Sequence, residues 1–185
     1  FCLGDVSGKG MNAALLMAKT ASLFRALGKT SPEPGYLLSR INAEICETAA
    51  RGMFVTMAAG VYNPTTGELT IANAGHEPPL VHRGGELYES LEADSPPLGI
   101  VPPLDDEPFP ETSLNIDNST LYIFTDGVTE GYRPNGEPLE VAGLKELLDQ
   151  SADDPMQSRL ESIATYLQNV PTPLRDDLTV LAVEG

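Results

Sequence analysis

The spacing of apolar residues changes in blocks along this chain, and the order of the blocks limits the folds open to it. Residues 1–6 read as a strand, followed by a Gly-rich turn at Ser7 to Gly10. From Met11 to Gly28 the pattern is helical and very apolar, with Lys19, Ser22 and Lys29 near one stripe, so most of the circumference is expected to be covered. Met11 and Met17 are expected in the core, and Gly28 is expected to stop the helix. A second helix is predicted over 34–50, with Pro34 at its start and Leu38, Ile41 and Ile45 on one face.

The period then falls to two. Residues 53–62 are rich in β-formers, Asn63-Pro64-Thr65-Thr66-Gly67 is turn chemistry, and 68–73 alternate, which predicts a hairpin. A short strand at 80–82 turns at Gly84-Gly85. Residues 93–112 hold many prolines and acids and read as an irregular loop. A buried strand at 121–124, helices over 139–150 and 155–168, and a strand over 178–183 complete the chain. Helix pairs set apart from runs of strands argue for α+β layers and against alternating βαβ units.

The chain has 185 residues, enough for one sizeable domain. Lys and Arg number 11 against 27 Asp and Glu, a formal charge of −16. Such a surface repels nucleic acid and anionic membranes, so neither is expected as a partner. No apolar run approaches the roughly 20 residues of a membrane-spanning helix, and no signal peptide is visible. Two unmatched cysteines, Cys2 and Cys46, suggest a reducing, cytoplasmic setting and no disulfide scaffold.

Three short stretches carry aspartates where apolar runs begin or end: Gly4 to Gly10 with Asp5, Phe124 to Gly127 with Asp126, and Arg175 to Thr179 with Asp176 and Asp177. Carboxylates at separate strand ends suit hard divalent cations, and a pair of such cations can hold a phosphate and activate a water. Taken singly, Asp5 reads better as a turn residue bonding local amides, and Asp126 reads equally well as one. A phosphate-loop reading of Gly4 to Gly10 fails, because only three residues separate Gly4 from Gly8 and Gly10 follows Lys9 where Ser or Thr is needed. Adjacent Asp176 and Asp177 repel one another unless a cation is near, and Arg175 is the candidate.

Together and in order, five segments resemble the PPM family of metal-dependent serine/threonine protein phosphatases, in its bacterial SpoIIE-type branch. They are Gly-Asp-Val-Ser-Gly-Lys-Gly at 4–10, Phe-Val-Thr-Met at 54–57, Asn-Ala-Gly-His-Glu-Pro-Pro-Leu at 73–80, Phe-Thr-Asp-Gly-Val-Thr-Glu at 124–130 and Arg-Asp-Asp-Leu-Thr at 175–179. The resemblance covers almost the whole chain. It implies a single phosphatase domain over 1–185, built as a four-layer α+β sandwich of two antiparallel sheets flanked by helix pairs.

The resemblance further implies two Mn2+ or Mg2+ ions and a water bridging them that attacks phosphorus. Asp5 matches the bridging ligand, the Val6 carbonyl its main-chain neighbour, and Asp126 and Asp176 the later carboxylates, so these carry both catalysis and metal binding. Asp177 matches a supporting position, and Glu130 a position where some relatives carry another acid. His76 is either a general acid or part of a structural turn, with the turn preferred; His82 is expected to be structural. Lys9 either draws in phosphate or faces solvent. The implied substrate is phosphoserine or phosphothreonine on a regulatory protein, an anti-sigma-factor antagonist, with a homodimer left open. A catalytically silent binding module of the same fold is the alternative. The family pattern places a further strand with a Gly-Gly-Asp stretch ahead of Asp5. This sequence begins at Phe1 without it, so a domain short of its N-terminal strands and weak in metal binding is expected.

Overall fold

The computed structural model describes residues 1–48, 52–102, 107–171 and 176–185. Its elements run β1 (Cys2–Val6), α1 (Met11–Leu27), α2 (Pro34–Thr48), β2 (Val55–Asn63), β3 (Glu68–Ala74), β4 (Leu80–His82) and β5 (Tyr88–Ser90). They continue as β6 (Glu111–Asn115), β7 (Thr120–Phe124), α3 (Asp126–Thr129), α4 (Glu140–Gln150), α5 (Met156–Gln168) and β8 (Val180–Glu184). All strand pairs are antiparallel, in sheets ordered β1-β2-β3-β6 and β5-β4-β7-β8. The class is α+β, as expected. The chain divides into two compact units, Phe1–Pro78 with Leu91–Asp117, and Pro79–Ser90 with Asn118–Gly185. No helix among the described residues is long and apolar enough to cross a membrane.

In the first unit, Leu38, Ile41 and Ile45 lie on one stripe of α2 and are fully buried. They pack with Val55, Met57 and Ala59 of β2 and Ala72 and Ala74 of β3. The register sets Met57 opposite Ala74 and Ala59 opposite Ala72, so the helix-facing side of the sheet is mostly small and lets α2 sit close. Pro34 opens α2, and the Glu111 carboxylate accepts the Gly35 N–H at 2.7 Å, satisfying one of the helix's orphan donors. Asn42 pins the Pro-rich loop to α2: its amide accepts the Gly99 N–H at 2.8 Å and donates to the Val101 carbonyl at 2.9 Å.

Two expectations for α1 need correction. Met11 is 75% exposed and Leu15 61%, so neither the covered circumference nor a core place for Met11 holds, while Met17 is half-buried. Only Ala13, Leu16 and Thr20 are buried, because α1 packs against its neighbours along one narrow stripe. Gly28 does end the helix, but in right-handed geometry (φ −62°) and not as a left-handed cap. Ala50, the expected end of α2, lies outside the described residues. Strand β6 falls partly in the expected loop. It is a polar edge strand pairing only with β3, so it carries no apolar alternation to betray it.

In the second unit, β7 is buried along its whole length between β4 and β8. Tyr122 and Phe124 pack against Leu144 and Leu148 of α4 and Ile163 and Leu167 of α5. The buried Arg159 of α5 donates to the Tyr122 hydroxyl at 2.6 Å and to the Ala152 and Asp154 carbonyls beyond the end of α4, where a cation is favoured. His82 stacks on Tyr88 at 4.6 Å, and Tyr88 donates to Asp149 at 2.7 Å, so this histidine is structural, as expected. Burial, reinforced by Asp149, pushes the Tyr88 hydroxyl well above its ordinary pKa.

Because Ile41 has no exposure, Ile41→Ala should cost about 3 kcal/mol in urea unfolding. A loss under about 1 kcal/mol would mean that α2 is not seated on the sheet.

Candidate active site

In the first unit the site begins where β1 stops pairing. Phe1 and Gly60 exchange both main-chain bonds at 3.0 Å, and the Ser7 N–H donates to the Phe54 carbonyl at 2.9 Å. Alternate residues of β1 therefore bond to β2, and Asp5, opposite Thr56, is one of them. Val6 falls between, so its N–H and C=O point away from β2. The Val6 N–H instead donates to Asp5 Oδ1 at 2.8 Å, which orients the carboxylate. The Val6 carbonyl is thus directed off the paired edge.

The return bond from Phe54 goes to Ser7 Oγ at 2.8 Å and not to the Ser7 carbonyl. The ladder ends there and the chain turns away. Gly8 and Gly10 take positive φ (86° and 93°), which glycine adopts without strain. Behind Asp5, the Thr56 hydroxyl lies 3.4 Å from the Asp5 carbonyl and 3.0 Å from His76 Nδ1. His76 is 4% exposed, and the Asn73 amide holds both its N–H and its carbonyl. This favours the structural-turn reading of His76.

In the second unit, Asp126 is the first residue of α3, directly after β7. Its Oδ1 is buried and accepts no hydrogen bond. The segment carrying Asp176 runs against it: a Cβ on Gly127 would lie 2.3 Å from the Asp177 carbonyl oxygen, so only glycine permits the approach. The Thr125 hydroxyl donates to that same carbonyl at 3.0 Å and accepts the Thr179 N–H at 3.1 Å. Asp176 Oδ1 accepts the Asp177 N–H at 2.9 Å, the same local orientation as at Asp5. Asp177 and Glu130 are exposed. Arg175, the expected partner of the acidic pair, lies outside the described residues.

These residues fit a hard divalent cation. The donors are all oxygens, and a buried carboxylate oxygen without a donor is costly unless a cation meets it. The candidate oxygens are those of Asp5 and the Val6 carbonyl within the first unit and, separately, of Asp126 and Asp176 within the second. Among the described residues, no three His, Cys, Asp or Glu side chains are gathered into a metal centre. Cys2 and Cys46 are free thiols, and burial pushes both above their ordinary pKa, which disfavours the thiolate a nucleophile needs. The roles of Ser7, Thr125 and Gly127 were not read from the sequence; a hydroxyl residue beside each strand-end Asp was the available signal.

A family model described as Stage II sporulation protein E (SpoIIE) matches residues 1–185. Phosphoserine phosphatase RsbU of Bacillus subtilis (strain 168) is 30% identical over 183 residues, 98% of this chain and 54% of RsbU. Phosphoserine phosphatase RsbP of the same organism is 25% identical over 171 residues, 89% of this chain and 40% of RsbP. The chain thus spans about half the length of these relatives or less. The solved RsbU and RsbW domains of Rv1364c from Mycobacterium tuberculosis superpose with a TM-score of 0.81 at 25% identity, over 98% of this chain and 50% of that one.

Gly127→Ala should force the 176–179 segment away from α3 and cost about 1–3 kcal/mol, read by thermal unfolding. An unchanged melting temperature would show that the close approach to the Asp177 carbonyl is not rigid.

Proposed function

The chain belongs to the Stage II sporulation protein E (SpoIIE) family, and from that membership we propose that it is a metal-dependent protein-serine/threonine phosphatase. The observation that carries this is the buried, donor-free Oδ1 of Asp126 beside the interlocked Asp176 segment. That supports a cation site over a plain turn. Two divalent ions, Mn2+ or Mg2+, would supply an activated water and neutralise charge on the phosphoryl oxygens when bound.

The chain's own residues do the rest. Asp5 and the Val6 carbonyl in the first unit and Asp126 and Asp176 in the second are the residues that would hold the ions. Asp177 supports Asp176 through its main-chain N–H. Lys9 is exposed in the Gly-rich turn, which suits either attraction of a phosphate or a solvent-facing turn residue. With neither thiol activated, a cysteinyl-phosphate intermediate is disfavoured. The substrate is phosphoserine or phosphothreonine on a regulatory protein, in our reading an anti-sigma-factor antagonist. The phosphoserine phosphatases RsbU and RsbP support the class of substrate. The free cysteines support a cytoplasmic setting.

Phosphate release from a phosphorylated antagonist in Mn2+ is the direct test. Turnover is expected, whereas binding without release would favour a silent module of the same fold. Asp126→Asn should lower kcat/KM at least about 100-fold, since even residues supporting metal ligands cost 10–100-fold. Its circular dichroism should stay native, and Asp94→Asn in the Pro-rich loop should change little. Wild-type activity in Asp126→Asn would remove that residue from the site.

EDTA should stop hydrolysis and Mn2+ restore it, with the chain folded throughout, because each unit has a core of its own. Unfolding by EDTA at room temperature would make the metals structural and the mechanism wrong.

A further inference from the structure

Thr125 occupies the N-cap of α3 with extended geometry (φ −80°, ψ 158°), yet its side chain makes no capping bond. A threonine there ordinarily accepts an N–H from the first helical turn. Here the hydroxyl is spent elsewhere. The β7–β8 register ends at Phe124 opposite Val180, so Thr125 and Thr179 would form the next pair. One bond of that pair is made, from the Thr125 N–H to the Thr179 carbonyl at 3.1 Å. The return bond from the Thr179 N–H goes to Thr125 Oγ1 at 3.1 Å and not to the Thr125 carbonyl. That carbonyl instead accepts the Val128 N–H at 3.0 Å and starts α3. The hydroxyl proton goes to the Asp177 carbonyl at 3.0 Å.

One hydroxyl, 5% exposed, therefore does two things. It releases the carbonyl that turns the chain at Asp126, and it ties down the residues on both sides of Leu178, next to Asp176. Gly127 makes the same approach sterically possible. We propose that Thr125 is a positioning residue for the metal site: it sets the spacing between the Asp126 and Asp176 carboxylates and thereby the affinity for divalent cations. This rests on the metal-dependent reading above. The hydroxyl is committed to the Asp177 carbonyl and the Thr179 N–H, so its effect is expected in metal affinity, and in activity only below saturating metal.

The test is calorimetric titration of Mn2+ into the whole chain, with apo melting temperature in EDTA and amide exchange at Thr179 as companion measurements. Thr125→Val keeps the shape and removes the hydroxyl; it should weaken Mn2+ binding about 10-fold and speed exchange at Thr179. Saturating Mn2+ should restore most of its kcat. Thr125→Ser keeps the hydroxyl and should bind Mn2+ within about twofold of wild type. Ser39→Ala removes a buried hydroxyl of the first unit that bonds Gly35, Glu107 and Phe109, and should lower the melting temperature without changing Mn2+ affinity.

Equal Mn2+ affinity in wild type and Thr125→Val would overturn the positioning role and leave the metal reading standing. An equal loss in Ser39→Ala would overturn it too, by reducing it to general destabilisation. If Thr125→Val does not fold, a tenfold loss in Thr125→Ser, whose hydroxyl is intact, would have the same force. Failure of the wild type to bind Mn2+ at all would sink both readings together, a result distinct from the others.

Discussion

A side-chain hydroxyl standing in for a main-chain carbonyl is the interaction on which both candidate ligand segments depend. Antiparallel pairing normally returns each bond from carbonyl to N–H, and a ladder that continued would hold the chain straight. At Ser7 and at Thr125 the hydroxyl takes the incoming N–H instead. The strand ends with its partner's donor still satisfied, which matters because an orphaned buried N–H is expensive. The chain is then free to turn immediately beyond the pairing. Asp5 lies two residues before one such point, and Asp126 lies one residue after the other.

Rigidity behind these points comes from different sources in the two units. In the first, fully buried α2 side chains sit on a sheet face made small by Ala59, Ala72 and Ala74. The same helix, through Asn42, holds the loop whose Leu98 exchanges both main-chain bonds with Val55, at the strand end nearest Asp5. In the second, the wholly buried β7 is backed by α4 and α5, and the buried Arg159 joins the end of α4 to Tyr122. A carboxylate at the rim of such elements is held by a packed core, which is the condition for a site that does not reorganise when charge arrives.

Much of the fold was legible because it rests on periodicity. The stripe Leu38, Ile41 and Ile45, the hairpin turn at 63–67 and the apolar run ending at Phe124 each announce an element locally. What escaped was governed by remote partners. Strand β6 is polar and exists because β3 offers it an edge. Helix α3 is four residues long and starts from a carbonyl that a distant amide no longer uses. Strand β8 begins at Val180, two residues later than the apolar run suggests, because 177–179 are engaged with Thr125. The exposure of Met11 and Leu15 was hidden for the same reason: an apolar pattern cannot say which faces of a helix will find a neighbour.

The sequence by itself determined the α+β class, the family and the carboxylates worth watching, since these follow from local period and from motifs read in order. Tertiary structure alone decided how those carboxylates are presented. The Thr125–Asp177 bond spans 52 residues of sequence and the Ser7–Phe54 bond 47. The buried state of the Asp126 oxygen and the outward aim of the Val6 carbonyl are likewise outcomes of register and packing. Hydrogen-bond partners so far apart leave no periodic trace, because which hydroxyl meets which amide is settled only when the strands pair.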